Sequence, residues 1–367
     1  MTKKIKIFDL SEQYNNKNLS DEIDKRFKDI LHSGQYILGK NVKKLEKKFA
    51  LILNAKYAVS CNSGTDALIL SLRACSIGSG DEVITSPFTY FATAEAIALV
   101  GAKPIFADIN PHTFNINYKN VESLITKKTK AIMPVHIFGQ AAEMIPLKKL
   151  CRKYNLKLIE DCAQSFGAKI DKTYTGTLGD FGCFSFFPTK NLGCAGDGGI
   201  ILTNNSRYAN TLMKLRNHGG LTRNIHEYIG YNSRLDELQA AVLLAKLKIV
   251  NQLNRNRIKI ASLYNKLITN KKIIKPYKKN NYFHVYNQYT IKVENRLKFI
   301  NHLEKFSIPY GIYYPIPIYK QKAFSGFRYK YKLNNTERIC KQCISIPIYP
   351  ELSNDKVEYI SNIINKY

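Results

Sequence analysis

Tyr57-Ala-Val-Ser-Cys-Asn-Ser-Gly-Thr-Asp-Ala-Leu-Ile-Leu-Ser-Leu-Arg-Ala-Cys75 decides the fold class. Tyr57–Ser60 reads as a short strand, and Gly64-Thr65 opens a helix that runs towards Cys75. The same alternation continues outward. Strands are expected at Glu82–Thr85, Pro104–Ala107, Lys130–Val135 and Leu156–Glu160, with helices at Ala92–Val100 and Ile145–Tyr154. Phe181–Phe186 and Gly199–Thr203 add two more strands around a loop that contains Lys190. Strands alternating with helices over residues 55–205 imply βαβ units and a mostly parallel mixed sheet. From Asp236 to about Ile268 a long helical pattern leads the chain out of that sheet. The remainder, with candidate strands at His284–Val293 and Cys343–Pro347, reads as a small α+β unit. The expectation is an α/β protein with a large domain over 1–250 and a small C-terminal domain over 251–367.

The chain has 367 residues, 45% hydrophobic and 11% aromatic, which excludes disordered and collagen-like classes. It carries 56 Lys+Arg against 28 Asp+Glu, a formal charge of +28. Of these, 22 basic and 6 acidic residues lie in 251–367. Such a surplus raises nucleic acid, a membrane surface or an anionic substrate as partner. The basic residues are scattered and no nucleic-acid motif organises them, so they read as solvated surface and no nucleic-acid partner is expected. Eight cysteines sit mostly inside apolar runs of a long chain with no opening signal peptide, so no disulfide scaffold is expected. Cys340 and Cys343 form one isolated CxxC without histidine ligands nearby, so no metal site is expected. No apolar stretch approaches the length of a membrane span. The reading is a reduced, cytoplasmic, globular protein.

Ligands of open parallel sheets sit beyond the carboxyl ends of the strands, and three loops there carry chemistry. In Cys61-Asn-Ser-Gly-Thr-Asp66, Gly64 permits close backbone approach, and the Thr65 amide and hydroxyl face the helix N-terminus. That suits a phosphate, and equally a plain N-cap turn. In Ile159-Glu-Asp161-Cys-Ala-Gln164, a carboxylate ends an apolar strand. It needs a cation or a ring N–H as partner, although Asp161 and Gln164 also fit capping-box spacing. In Phe184-Ser-Phe-Phe-Pro-Thr-Lys190-Asn-Leu-Gly-Cys-Ala-Gly-Asp-Gly-Gly199, one lysine lies between aromatics and a glycine-rich turn. Desolvation there lowers an amine's pKa, as imine formation requires. A phosphate site, a buried carboxylate and a depressed lysine together fit pyridoxal 5'-phosphate (PLP).

The chain resembles the DegT/DnrJ/EryC1/StrS family of PLP-dependent nucleotide-sugar aminotransferases, which have the fold-type I architecture. The motifs that carry the resemblance are Ser33-Gly-Gln-Tyr-Ile-Leu-Gly39, Ser63-Gly-Thr65, Gly80-Asp-Glu-Val-Ile-Thr85 and Pro134-Val-His-Ile-Phe-Gly-Gln140. They continue through Glu160-Asp-Cys-Ala-Gln164, Phe187-Pro-Thr-Lys-Asn-Leu-Gly193, Gly230-Tyr-Asn-Ser-Arg-Leu-Asp-Glu-Leu-Gln239 and Tyr314-Pro-Ile-Pro317.

The resemblance implies Lys190 as Schiff-base lysine and proton carrier, and Asp161 as partner of the pyridinium nitrogen. It implies Gln164 against the cofactor's phenolic oxygen and Gly64, Thr65 and Ser185 around the phosphate. Tyr90 would stack on the ring. Asn232 would reach the cofactor of a partner subunit in a homodimer with shared sites. Arg234 would anchor the glutamate carboxylate, and Tyr313 and Tyr314 would meet the sugar nucleotide. Tyr313 stands where relatives commonly have histidine. Relatives with histidine in place of Lys190 are sugar dehydratases, so the lysine favours transamination between glutamate and a keto sugar, with 2-oxoglutarate as product. The Phe186-Phe187-Pro188, Leu192-Gly193-Cys194 and Gln288-Tyr289-Thr290 positions look closest to enzymes acting on UDP-2-acetamido-3-keto-glucuronate. The other readings are a dTDP-3-keto-6-deoxyhexose aminotransferase, a 4-keto sugar aminotransferase, a dehydratase and a non-catalytic regulatory protein on the same fold. His136, His218 and the tyrosines of 310–319 read equally as structural or as ligand contacts.

Overall fold

A computed structural model describes residues 5–327, 329 and 332–367. The strands, in chain order, are β1 (Tyr57–Cys61), β2 (Glu82–Thr85), β3 (Lys103–Phe106), β4 (Thr129–Met133) and β5 (Lys157–Asp161). They continue with β6 (Lys169–Ile170), β7 (Thr173–Tyr174), β8 (Phe181–Ser185) and β9 (Gly199–Thr203). The last four are β10 (Ile273–Ile274), β11 (Tyr282–Phe283), β12 (Tyr289–Val293) and β13 (Cys343–Ile346). Seven of them form one sheet in the order β1-β9-β8-β5-β4-β2-β3. From β8 to β3 every pairing is parallel, and β9 runs antiparallel to both β1 and β8. This is the mostly parallel mixed sheet expected of an α/β protein.

Register places the site. Cys61 at the end of β1 lies opposite Gly199 at the start of β9, and Gly199 lies opposite Ser185 at the end of β8. The loop after β1 therefore sits level with the end of β8. A side chain on Gly199 would place its Cβ 2.2 Å from the Ser63 carbonyl oxygen, so this crossing requires glycine.

Both faces of the sheet are covered, as parallel strands demand. On one face the helices Gly64–Ala74 and Ala92–Leu99 bury Leu68, Leu72 and Ile97 against Val59, Val83, Ile159 and Ile201. On the other, the helices Lys40–Leu53 and Glu237–Lys246 bury Leu45, Phe49 and Leu243 against Phe184, Ile200 and Leu202. Phe49 meets Phe184 edge-on at 5.2 Å between centroids. A second core lies around the antiparallel sheet β10-β12-β13, where Tyr264, Tyr289 and Phe299 are fully buried and Ile5 packs from the N-terminal segment. The third sheet is the small β11-β6-β7.

Two expected elements differ. The single long helix over Asp236–Ile268 is two, Glu237–Lys246 and Val250–Leu267. Between them the Ile249 N–H donates to the Lys246 carbonyl at 3.0 Å, a tightened turn. The break lets Leu243, Leu244 and Leu247 face the first core while Ile260, Ala261 and Tyr264 face the second. The strand expected over His284–Val293 begins only at Tyr289. Tyr286 has φ +45°, and its N–H donates to His284 Nδ1 at 3.0 Å, so the chain turns there instead. All eight cysteines are unpaired. Among the described residues no helix is long and apolar enough to cross a membrane.

Candidate active site

A cavity of about 720 Å³ opens beyond the carboxyl ends of β5 and β8. Its wall includes Gly64, Thr65, Tyr90, Asp161, Gln164, Ser185, Lys190, Tyr313 and Tyr314. Three separate loops thus converge, because β1, β5 and β8 point the same way and lie within four neighbouring strand positions.

The helix Gly64–Ala74 begins against β8. A Cβ on Gly64 would lie 2.6 Å from Ser185 Cβ, so glycine allows the approach. Ser63 caps the helix, its Oγ accepting from the Asp66 N–H at 3.0 Å. Its carbonyl accepts from the Ala67 N–H at 3.1 Å. These bonds serve later amides and leave the Gly64 and Thr65 N–H groups at the cavity wall. Unpaired amides at a helix start form an anion site, and the Ser185 hydroxyl stands beside them.

Asp161 is the last residue of β5 and is 4% exposed. Burial pushes its carboxyl above the usual range. Opposing that, Thr93 Oγ1 donates to Oδ2 at 2.8 Å and the Ala163 N–H donates to Oδ1 at 3.1 Å. The Lys190 amine, in the same cavity, also favours the carboxylate. Lys190 is pulled down to about 8 by burial, and Asp161 partly restores it. Its loop is closed by the Lys190 N–H bond to the Phe187 carbonyl at 2.9 Å.

Gln164 is held at both ends. Its Oε1 accepts from the Phe138 N–H at 2.6 Å and its Nε2 donates to the Tyr314 hydroxyl at 3.1 Å. Tyr90 stands at the cavity mouth, exposed, with its ring 6.4 Å from that of Tyr314. Asn232 and Arg234 are not part of this chain's own cavity wall. Asn232 is exposed, and Arg234 Nη1 donates to Asn217 Oδ1 at 3.1 Å.

Sequence reasoning missed several side chains. Thr93 supports Asp161 from a helix that starts in the loop after β2; its spacing of four from Thr89, with 3.0 Å between the hydroxyls, was the only local signal. Phe8 reaches the cavity wall from the N-terminal segment with no local signal at all. His136 proves structural. The Ala142 N–H donates to its Nδ1 at 3.0 Å, which places the proton on Nε2, 2.9 Å from Glu160 Oε2. Glu160 accepts further bonds from the N–H groups of Gly176, Leu178 and Gly179. His136, Glu160 and Cys162 lie within metal-ligand range of one another, but the histidine's two nitrogens are already committed. His218 is exposed at φ +55° in a turn away from the cavity.

PLP fits this arrangement. The cradle excludes a Cβ at Gly64, the helix-start residues Gly64 and Thr65 line the cavity, and a buried carboxylate lacks a full ionic partner. Gly64, Thr65 and Ser185 would take the phosphate, Asp161 the ring nitrogen and Lys190 the aldehyde carbon.

An α/β cavity that sets a lysine amine and a buried carboxylate on one wall is the arrangement that a PLP-dependent enzyme requires. The particular kind follows from comparison: residues 17–365 match the DegT/DnrJ/EryC1/StrS aminotransferase family, and the chain belongs to it. The chain is 40% identical to the Pleiotropic regulatory protein of Geobacillus stearothermophilus, over 99% of this chain and 98% of that one. It is 41% identical to the UDP-2-acetamido-2-deoxy-3-oxo-D-glucuronate aminotransferase of Pseudomonas aeruginosa, over 97% and 98%. Among solved structures, Streptomyces venezuelae DesV superposes with a TM-score of 0.96 at 34% identity, covering 100% of this chain and 98% of that one. The protein is a PLP-dependent aminotransferase.

Proposed function

We propose that the protein moves the amino group of glutamate to C3 of a nucleotide-linked 3-keto sugar. The substrate is UDP-2-acetamido-2-deoxy-3-keto-glucuronate, used in the cytoplasm to build cell-surface polysaccharide. The observation that carries the reaction type is the Lys190 amine, pulled down to about 8 in a cavity shared with Asp161. The likeness to the P. aeruginosa enzyme supports the sugar.

When bound, PLP supplies an electron sink through which an amine and a carbonyl exchange places. The chain supplies the rest. Gly64, Thr65 and Ser185 hold the phosphate with N–H and O–H donors. Asp161, kept in place by Thr93 and Ala163, holds a proton on the ring nitrogen. The Lys190 Nζ, its pKa lowered to about 8 by burial, would carry a proton between the amine-bearing substrate carbon and C4′ of the bound cofactor. Gln164 and Tyr314 form a linked pair of hydrogen-bonding groups beside it. Asn232 and Arg234 stand outside this chain's cavity, which suits a homodimer in which each serves the partner's site. The large unit, 1–250, binds the cofactor, and 251–367 closes over the substrate side.

Loading purified protein with PLP should give a near-visible absorbance band that glutamate bleaches, and Lys190→Ala should lose both. UDP- and dTDP-linked 3-keto and 4-keto sugars are then offered in turn, with 2-oxoglutarate release measured. Faster turnover of a 4-keto or a dTDP-linked sugar overturns the substrate assignment. A bleachable band in Lys190→Ala overturns the role of the lysine.

A further inference from the structure

Gln288 is 8% exposed and lines the cavity, yet its carboxamide has no protein partner. Its Oε1 is fully sealed and accepts no hydrogen bond. Of the buried, unpartnered side-chain atoms among the described residues, this is the one that belongs to a cavity-wall residue. The sealed Oε1 is out of reach of a ligand in the cavity; Nε2 is not sealed and makes no hydrogen bond to protein, so it is the atom of this wall residue open to a ligand.

The side chain is mounted rigidly. Its neighbour Asn287 donates through Nδ2 to Asn191 Oδ1 at 2.9 Å. Asn191 in turn donates to Asn254 Oδ1 at 2.7 Å and to the Val285 carbonyl at 3.1 Å. Gln288 itself leads into β12, where Tyr289 pairs with Ile346 of β13. Asn191 directly follows Lys190, so the bond between the two asparagines fixes Gln288 relative to the reactive amine, one peptide away on each side. A group held this way meets whatever surrounds the carbon that reacts at Lys190.

The chemistry of the partner follows from charge. Glutamate offers two carboxylates, which require cations, and Lys190 is the one cationic side chain this chain contributes to the described wall. A neutral carboxamide suits a neutral oxygen, and a sugar ring carries these on the carbons beside its keto group. We propose that Gln288 determines specificity for the sugar substrate by donating from Nε2 to an uncharged oxygen, an acetamido carbonyl or a hydroxyl, next to the carbon that receives the amine. This rests on the sugar-aminotransferase reading above.

The test uses PLP-loaded full-length enzyme and the variants Gln288→Met, of similar shape without hydrogen bonds, and Gln288→Glu. The sugar is whichever keto sugar of the panel the wild type converts fastest, so a wrong substrate assignment shows in the wild type alone. The expected result is a KM for that sugar raised about tenfold to a hundredfold in Gln288→Met. The glutamate half-reaction, read in single turnover as bleaching of the near-visible band, keeps its wild-type rate. The dissociation constant of the sugar's amino product rises in parallel. An unchanged KM overturns the proposal, as does an equal slowing of the glutamate half-reaction. A small void of about 10 Å³ between Gln288, His284 and Thr290 has room for one water, and a purely structural amide bonded there would lower Tm and leave the sugar KM alone. That outcome also overturns it.

Discussion

Gly64→Ala tests the anion cradle directly. The new Cβ would stand 2.6 Å from Ser185 Cβ and 3.1 Å from its Cα and Oγ. Carbon atoms rest at about 3.5–4.0 Å, so the helix start and the end of β8 must part by about 1 Å. Register locks Ser185 to Gly199 and Gly199 to Cys61, so the helix start is the side that yields. Its Gly64 and Thr65 amides then leave the Ser185 hydroxyl behind. Loss of one hydrogen bond to a charged phosphate is worth about 1.5–3 kcal/mol, or about a tenfold to 150-fold weaker PLP dissociation constant. The assay is titration of apoenzyme with PLP at the near-visible band, repeated with pyridoxal, which lacks the phosphate. Pyridoxal should bind variant and wild type alike. A PLP affinity within about threefold of wild type, or an equal loss for pyridoxal, would refute the assignment of this loop to phosphate.

Three further expectations follow from the same geometry. The folded amine of Lys190 releases its proton near pH 8 while the unfolded one holds it to about 10.5, so apoenzyme stability rises with pH across that window. The Tm advantage of Lys190→Met over wild type should therefore be largest below pH 8 and close towards pH 10.5; a pH-independent gap would contradict it. Thr93→Val removes the 2.8 Å donor from Asp161 Oδ2, raising a carboxyl already raised by burial. The ionised form is the one that suffers, so apoenzyme should lose about 1–3 kcal/mol at neutral pH and regain it as pH falls through the Asp161 pKa. Glu160→Gln turns one carboxylate oxygen into N–H₂, which then opposes either His136 and Gly176 or Leu178 and Gly179, and thermal melts should show a loss of about 2–3 kcal/mol. An unchanged melt would show that these bonds contribute nothing.

What could be read from the chain was whatever local pattern determines. Glu82–Thr85 and Gly199–Thr203 are strands with the expected bounds, because short β-branched runs between turn residues specify themselves. The three loops that meet in the cavity were legible because each combines a strand end with a residue type that is out of place there. The break at Leu247–Ile249 was not, since the apolar period continues through it and only the presence of two cores explains it. Thr93 and Phe8 escaped for a related reason. Each joins the cavity from an element distant in sequence, and only the Thr89–Thr93 spacing gives either a local signal. His136 could be settled only by finding Ala142 and Glu160 on its two nitrogens.

The chain carries +28, yet its own contribution to the described cavity wall is one amine, Lys190, beside the carboxylates of Asp161 and Asp197. The charge and the grip are thus separated in space. Surface lysines set a long-range field that gathers phosphorylated ligands and fades with ionic strength. Within the pocket, the proposed phosphate donors are uncharged N–H and O–H dipoles, which act at distances too short for salt to intervene. Added salt should slow the arrival of ligand far more than it hastens departure, so the basic surface sets how quickly the site fills and the neutral cradle how long it stays filled.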